Sequence, residues 1–263
     1  MRTILIVLSV MVQTLWSQEN GHATAELWLA PARVEAGKPT VIPAAIRMVY
    51  EKGWHGYWCN PGEGGMKTEV RWTLPDGVRA GDLKFPAPKR EMTGELACYG
   101  YAGEVLLPVM LTVEGKLPPS GAVEATVSWL ACNDTGCSAG EAVVKADLSV
   151  AVRADDEKAL AVKRAHDTLP AADPKLRLHV TESNGWMELL LTGADHRDLE
   201  GAEIFPVTEQ ALDPKEAIAW KKSDDGYRAR VRKNEYAPAS VNAMELVVVP
   251  KSGTGALVIG WKK

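Results

Sequence analysis

The sequence has no His-Glu-x-x-His pair to hold a catalytic zinc. Gly253-Thr-Gly255 lacks both the third glycine and the strand-turn-helix setting of a dinucleotide fingerprint. Cys-x-x-Cys knuckles are also missing, which argues against a four-cysteine zinc site. No basic run occurs and the formal charge is −4, so neither nucleic acid nor anionic lipid is expected as a partner. Beyond residue 17 no apolar stretch is long enough for a membrane helix. No cofactor is expected.

What is present begins with an export signature. Met1-Arg2-Thr3 is a minimal positive start, and Ile4 to Trp16 is almost uninterrupted apolar sequence ending in Ser17-Gln18-Glu19. That run is shorter than the roughly 20 residues a bilayer span requires, so it reads as a cleaved signal peptide. Leu15-Trp16-Ser17 lacks a small residue at its first position, whereas Ala23-Thr24-Ala25 has suitable chemistry but lies far from the apolar core. The expectation is an exported chain, periplasmic in a bacterium, and soluble after processing. At 46% hydrophobic and 24% charged residues, the composition is that of an ordinary globular protein.

From Ala25 to about Arg153, apolar alternation is broken at short intervals by turn residues such as Pro61-Gly62, Pro75-Asp76-Gly77, Pro86-Ala87-Pro88 and Pro118-Pro119. This spacing predicts an antiparallel sandwich. The expected strands are 25–29, 40–50, 56–58, 69–73, 105–113, 122–130 and 141–152, with Pro108 marking an edge or bulge. Asp155-Asp156-Glu157 opens a helix over 157–169 that Pro170 stops. Strand pattern returns at 176–181, 186–192, 202–207, 217–221, 227–231, 245–249 and 256–261, with Asp224-Asp225-Gly226 as a hairpin turn. The expected fold class is all-β: two immunoglobulin-like sandwiches, 26–153 and 176–263, follow residues 1–25 and are joined by a helical linker at 154–175.

The chemistry resides in four cysteines. Cys132 and Cys137 enclose Asn-Asp-Thr-Gly, a turn short enough to bring their Cα atoms within disulfide reach. By chain entropy, closing so short a loop stabilises a fold by about 2 kcal/mol, and linking Cys59 to Cys98 by about 4 kcal/mol. The long-range pair suits a structural staple and the short pair a switch, yet spacing leaves open whether Cys132–Cys137 is a plain clip. No Lys, Arg or His lies between the two to lower a thiol pKa. His55, Tyr57 and Cys59 alternate with Trp54, Gly56 and Trp58 and should face the opposite side of a strand. A weaker alternative is a soft-metal site for copper from His55, Cys59 and Met66, with Met92 nearby. Tyr99 and Tyr101 are candidates to shield the pair, set against ordinary packing between sheets. Asn133-Asp134-Thr135 matches a glycosylation sequon, which a bacterial source would make accidental.

Six blocks carry a resemblance over roughly residues 50–145: Glu51-Lys-Gly-Trp-His-Gly-Tyr-Trp58, Asn60-Pro-Gly-Glu-Gly-Gly65, Trp72-Thr-Leu-Pro-Asp-Gly77, Phe85-Pro-Ala-Pro88, Tyr99-Gly-Tyr-Ala-Gly-Glu-Val-Leu-Leu-Pro108, and Trp129-Leu-Ala-Cys132 followed by Cys137. They resemble the N-terminal periplasmic domain of the DsbD and ScsB-type thiol:disulfide interchange proteins. The resemblance implies an immunoglobulin-like sandwich in which Cys132 and Cys137 exchange electrons. Its implied partners are a membrane-embedded thiol donor of DsbD or CcdA type and periplasmic thioredoxin-like or disulfide-containing clients. Glu63 and Glu104 fall in these blocks and are candidate proton acceptors. Two departures stand out: neither a transmembrane electron-transfer domain nor a thioredoxin-like domain follows before Lys263, so the donor is expected to be a separate protein. Cys59 and Cys98 replace residues usually not cysteine, and an even cysteine count in an exported chain suggests that they pair. The alternatives are a non-catalytic binding module with two structural disulfides, or a copper-handling protein.

Overall fold

The computed structural model describes residues 21–32, 38–114, 121–148 and 156–263. The expected signal peptide, the Pro118-Pro119 turn, the end of the 141–152 strand and the boundary near 153 lie outside the described residues. The first sandwich consists of β1 (Ala23–Leu29), β2 (Thr40–Tyr50), β3 (His55–Gly62), β4 (Glu69–Thr73), β5 (Val78–Ala80), β6 (Lys89–Thr93), β7 (Leu96–Ala102), β8 (Glu104–Val113), β9 (Ala122–Asn133) and β10 (Gly136–Asp147). Helix α1 (Glu157–Asp167) follows. The second sandwich consists of β11 (Ala171–Ala172), β12 (Arg177–Ser183), β13 (Trp186–Thr192), β14 (Glu203–Pro206), β15 (Lys221–Ser223), β16 (Gly226–Arg232), β17 (Ala243–Val249) and β18 (Leu257–Lys262).

The expected all-β, immunoglobulin-like architecture is what forms. One sheet runs β1-β2-β8-β5 and faces a second ordered β10-β9-β3-β7-β6, with β4 beside β9. Alternation drives their packing: Val123, Ala125, Val127, Trp129 and Ala131 of β9 all point inward and meet Ile46, Met48, Leu107 and Leu111 of the opposing sheet. The second sandwich pairs β12-β13-β16-β15 with β11-β18-β17-β14 around Met187, Leu189, Trp220, Leu246 and Val248. Every strand pairing between the described residues is antiparallel except the short β11–β18 contact.

Local chemistry explains where expectation and structure differ. The β6–β7 hairpin is not among the expected strands; its first strand is mostly charged, with Lys89, Arg90 and Glu91, and Gly94 turns it at φ 59°. The 217–221 segment is not a strand of its own. Trp220 and Ile218 instead exchange backbone hydrogen bonds with Ala202, Ile204 and Gly201, which buries both side chains before β15 begins. Pro108 lies on a stretch of β8 that β5 does not cover, since β5 pairs only with Leu111 to Val113, so its missing N–H costs no ladder bond on that flank. Asp224-Asp225 forms the two-residue loop between β15 and β16, as the turn pattern predicts. The helix is shorter than expected and starts at Asp156, whose carboxylate accepts from the Lys158 and Ala159 amides. It docks on the first sandwich, with Val162 against Ala30 and Ala45 and His166 Nε2 donating to the Ala44 carbonyl.

The two sandwiches share contacts. Phe205 and Val247 belong to the first core, and the Phe205 ring stands edge-on to Trp58 and Tyr99. Asn60 Nδ2 donates to the Pro206 carbonyl at 2.7 Å, and Lys215 pairs with Glu63 at 3.2 Å.

Strands β3 and β7 approach so closely that a Cβ on Gly100 would fall 1.9 Å from the Gly56 carbonyl oxygen. Gly100→Ala should therefore lower the unfolding free energy by about 3 kcal/mol, read as a drop in the urea midpoint. A loss under about 0.5 kcal/mol, the level of an ordinary surface change, would show that the strands have room to separate.

Candidate functional site

Cys132 and Cys137 are joined in a disulfide across the β9–β10 hairpin, with Cα atoms 4.1 Å apart. They sit directly opposite each other in the strand register, one step inside the closing Asn133–Gly136 pair. The tight turn holds because Asn133 Oδ1 accepts from Thr135 N and Oγ1, both at 2.8 Å, and from Gly136 N at 3.0 Å. The Asn133 amide oxygen of the sequon is thus fully engaged in the turn.

The two sulfurs have unlike surroundings. Cys137 is exposed on the edge strand β10, whereas Cys132 is 0% exposed. Cys132 does not belong to the large core. It lies on the other face of the sheet, where Glu124, Thr126, Ser128 and Leu130 are only half-buried, in a small cluster with Tyr57, Cys98 and Leu130. The cover is the tip of the β6–β7 hairpin. Thr93 Oγ1 lies 3.1 Å from His55 Nε2 and 3.0 Å from the Tyr57 hydroxyl, and the Cys98 thiol donates weakly to it at 3.7 Å. His55 stands directly opposite Cys132 in the β3–β9 register, so Cys137, Cys132 and His55 form one row across three strands. Burial lowers the His55 pKa, and the Asp134 carboxylate in the hairpin turn partly offsets that shift. Burial raises both the Tyr57 phenol and the Cys98 thiol.

Several expectations need correction. Cys59 and Cys98 are both free thiols and form no disulfide. The reason is a register shift between Tyr57 and Gly62: Cys98 stays with Tyr57 and Cys132, while Cys59 is rolled onto the opposite face and packs against the large core. The same irregularity separates Cys59 from His55, and Met66 is exposed at 49%, so the three residues considered for copper do not converge. Tyr99 and Tyr101 do not shield the disulfide, because both are buried in the large core and the Tyr101 hydroxyl donates to the Pro86 carbonyl. Glu63 accepts from the Ala97 amide and pairs with Lys215, and Glu104 pairs with Arg47 on the other sheet, so neither reaches the disulfide.

Sequence reasoning missed Thr93 and undervalued His55 and Tyr57. The alternation did place His55 and Tyr57 on one face, but nothing local indicated that Thr93 would fold over them. The run Gly136-Cys-Ser-Ala-Gly140 also has nucleophile-elbow spacing, although Ser138 lies inside the extended β10 strand, which continues to Asp147, and not on a sharp strand-to-helix turn, so it is not presented as a nucleophile.

Comparison with known proteins fits this geometry. Residues 27–148 match the family model described as thiol:disulfide interchange protein DsbD, N-terminal. The matched segment takes in both cysteines and the sequence blocks that carry the resemblance. The N-terminal periplasmic domain of ScsB from Proteus mirabilis superposes with a TM-score of 0.65 at 18% identity, covering 92% of each chain, and so shares the fold of both sandwiches. The titin immunoglobulin tandem A164-A165 is matched over 92% of this chain and 96% of its own at 10% identity, but a TM-score of 0.17 carries no argument. No curated protein sequence matches the chain.

Unfolding without reductant should expose two thiols, on peptides carrying Cys59 and Cys98, and leave the peptide carrying both Cys132 and Cys137 unalkylated and lacking two hydrogens by mass spectrometry. In the native state at pH 8 Cys59 should resist iodoacetamide, since burial pushes its thiol up to about 11 and the reactive thiolate is then roughly one part in a thousand. A linked Cys59–Cys98 peptide would contradict the arrangement.

Proposed function

We propose that this chain is an exported thiol–disulfide exchange protein, in which the Cys132–Cys137 pair passes reducing equivalents between a membrane-embedded thiol donor and periplasmic thioredoxin-like or disulfide-containing clients. The observation that carries the reading is the unequal exposure of the two sulfurs, which lets a partner reach one and only one of them. An incoming thiolate attacks the exposed Cys137 sulfur, a bond forms between the two proteins, and the electron pair of the broken disulfide moves to the buried Cys132 sulfur. A second thiolate of the partner then attacks its own sulfur in the mixed disulfide and releases Cys137. Delivery to a client runs these steps in reverse. The family match over residues 27–148 supports the reading, and because Cys59 and Cys98 are free thiols, Cys132–Cys137 is the disulfide available for exchange among the described residues.

The reduction potential of the mature protein, measured in glutathione and dithiothreitol buffers with Cys132 and Cys137 followed by alkylation, should lie at roughly −180 to −270 mV, as for exchange proteins. A pair that stays oxidised below about −300 mV is a structural clip, and the reading then fails. Cys132→Ser should accumulate a mixed disulfide through Cys137 with a Cys-x-x-Cys client, whereas Cys137→Ser, which leaves only the buried thiol, should trap at least tenfold less. Equal trapping by the two variants would remove the assigned order of attack.

A further inference from the structure

Exchange at this disulfide leaves a negative charge where water has little access. When the Cys137 sulfur is attacked, the departing Cys132 sulfur is a thiolate on a residue with 0% exposure, and an uncompensated buried charge is costly. One ionisable ring stands beside it. His55 is 5% exposed and is the direct cross-strand partner of Cys132, at a position where paired Cβ atoms lie about 5 Å apart.

We propose that His55 is the proton-exchange partner of Cys132, a role that rests on the exchange reading given above. The hydrogen-bond network prepares it. A threonine hydroxyl has one proton and two lone pairs. In the proposed arrangement Tyr57 donates to Thr93 Oγ1 and Thr93 donates to His55 Nε2, so that the ring is neutral and carries its proton on Nδ1. Nδ1 has no hydrogen-bond partner among the described residues, so it is free to exchange a proton beside Cys132. The groups facing the ring are few: Asp134 from the β9–β10 turn is the charged one, and Tyr57 on β3, Cys98 on β7 and Cys132 on β9 are the titratable ones. Asp134 favours the protonated ring, and burial opposes it.

The proton balance follows the electrons. In the disulfide form His55 is neutral. Attack on Cys137 gives the Cys132 thiolate, whose charge raises the proton affinity of the ring; one proton is taken from water and shared as imidazolium–thiolate or imidazole–thiol. On delivery, neutral His55 accepts the Cys132 proton, the thiolate formed attacks the Cys137 sulfur of the mixed disulfide, and the client leaves as its own thiolate.

The test is the titration of His55 in each redox state, followed by NMR on the whole mature protein with labelled histidine. His22, His166, His179 and His196 serve as internal references, and His55→Gln assigns the signal. Reduction should raise the His55 proton affinity at least tenfold and leave the other four unchanged. His55→Gln should slow resolution of the Cys137 mixed disulfide about 100-fold at pH 7, the scale of general acid–base assistance, with the deficit closing above about pH 9 as the thiol ionises unaided. Because replacing His22, His166, His179 and His196 one at a time identifies the His55 signal by elimination, a poorly folded His55→Gln does not block the test. An identical His55 titration in both states, or an equal slowing at every pH, overturns the proposal. If the potential still lies in the exchange range, only the role of His55 falls; if the pair resists reduction altogether, the exchange reading falls with it.

Discussion

The site depends on covering one patch of a sheet face that is otherwise open. Along β9 the inward residues are fully buried, while the outward ones are half-exposed until Cys132. There the β6–β7 hairpin folds over the face and Thr93 ties it down through His55 and Tyr57. Each such hydrogen bond contributes about 1 kcal/mol net, so the cover is held by a small number of modest interactions. Cys132 is consequently enclosed while Cys137, on the neighbouring edge strand, is not. Everything chemical about the pair follows from that asymmetry.

The cover is also gripped from the far side. Arg90 of β6 donates to the Glu216 carbonyl of the second sandwich at 3.2 Å and lies over the Tyr99 ring, while Glu63 holds the first amide after Leu96 and pairs with Lys215. Asn60, just past the irregularity in β3, reaches the Pro206 carbonyl. These contacts converge on the strands that frame the disulfide. The irregularity in β3 serves both ends of this arrangement: it turns Cys59 and Asn60 toward the large core and the second sandwich, and it leaves His55 and Tyr57 facing the cysteines.

How much of this was legible in the sequence follows from the range of the interactions. The fold class and most strands could be read because alternation and turn residues act within a few positions, as in β13 and the Asp224-Asp225 loop. The Cys132–Cys137 bond was legible for the same reason, being closed by its own turn. Long-range placement was not. Regular alternation puts Cys59 on the side of His55, and only the shifted register between Tyr57 and Gly62 reverses it. Tyr99 and Tyr101 sit next to Cys98 in the chain but alternate onto the core face, so nearness in sequence misled where period two would have corrected it. Thr93 carries no signal at all, because its importance arises from a hairpin whose first strand, Lys-Arg-Glu-Met-Thr, does not resemble a strand.

A disulfide that is to be made and broken must not be what holds its own surroundings in place. The loop closed by Cys132 and Cys137 spans a sequence separation of 5, and by chain entropy so short a closure contributes only about 2 kcal/mol. The same two strands are joined by a register running from Asn133–Gly136 to Ala122–Asp147, and β9 places Val123, Val127 and Trp129 in the core. Trp129 helps to fix the hairpin from beneath, its ring lying against Gly140 and its Nε1 donating to the Gly21 carbonyl at 3.0 Å. Burying one such side chain is worth about as much as the covalent bond, on the order of 2–3 kcal/mol. The ladder and the core therefore keep the hairpin formed whether or not the sulfurs are bonded. The energy of the bond stays small against that of the fold, which lets the pair change oxidation state without carrying the domain with it.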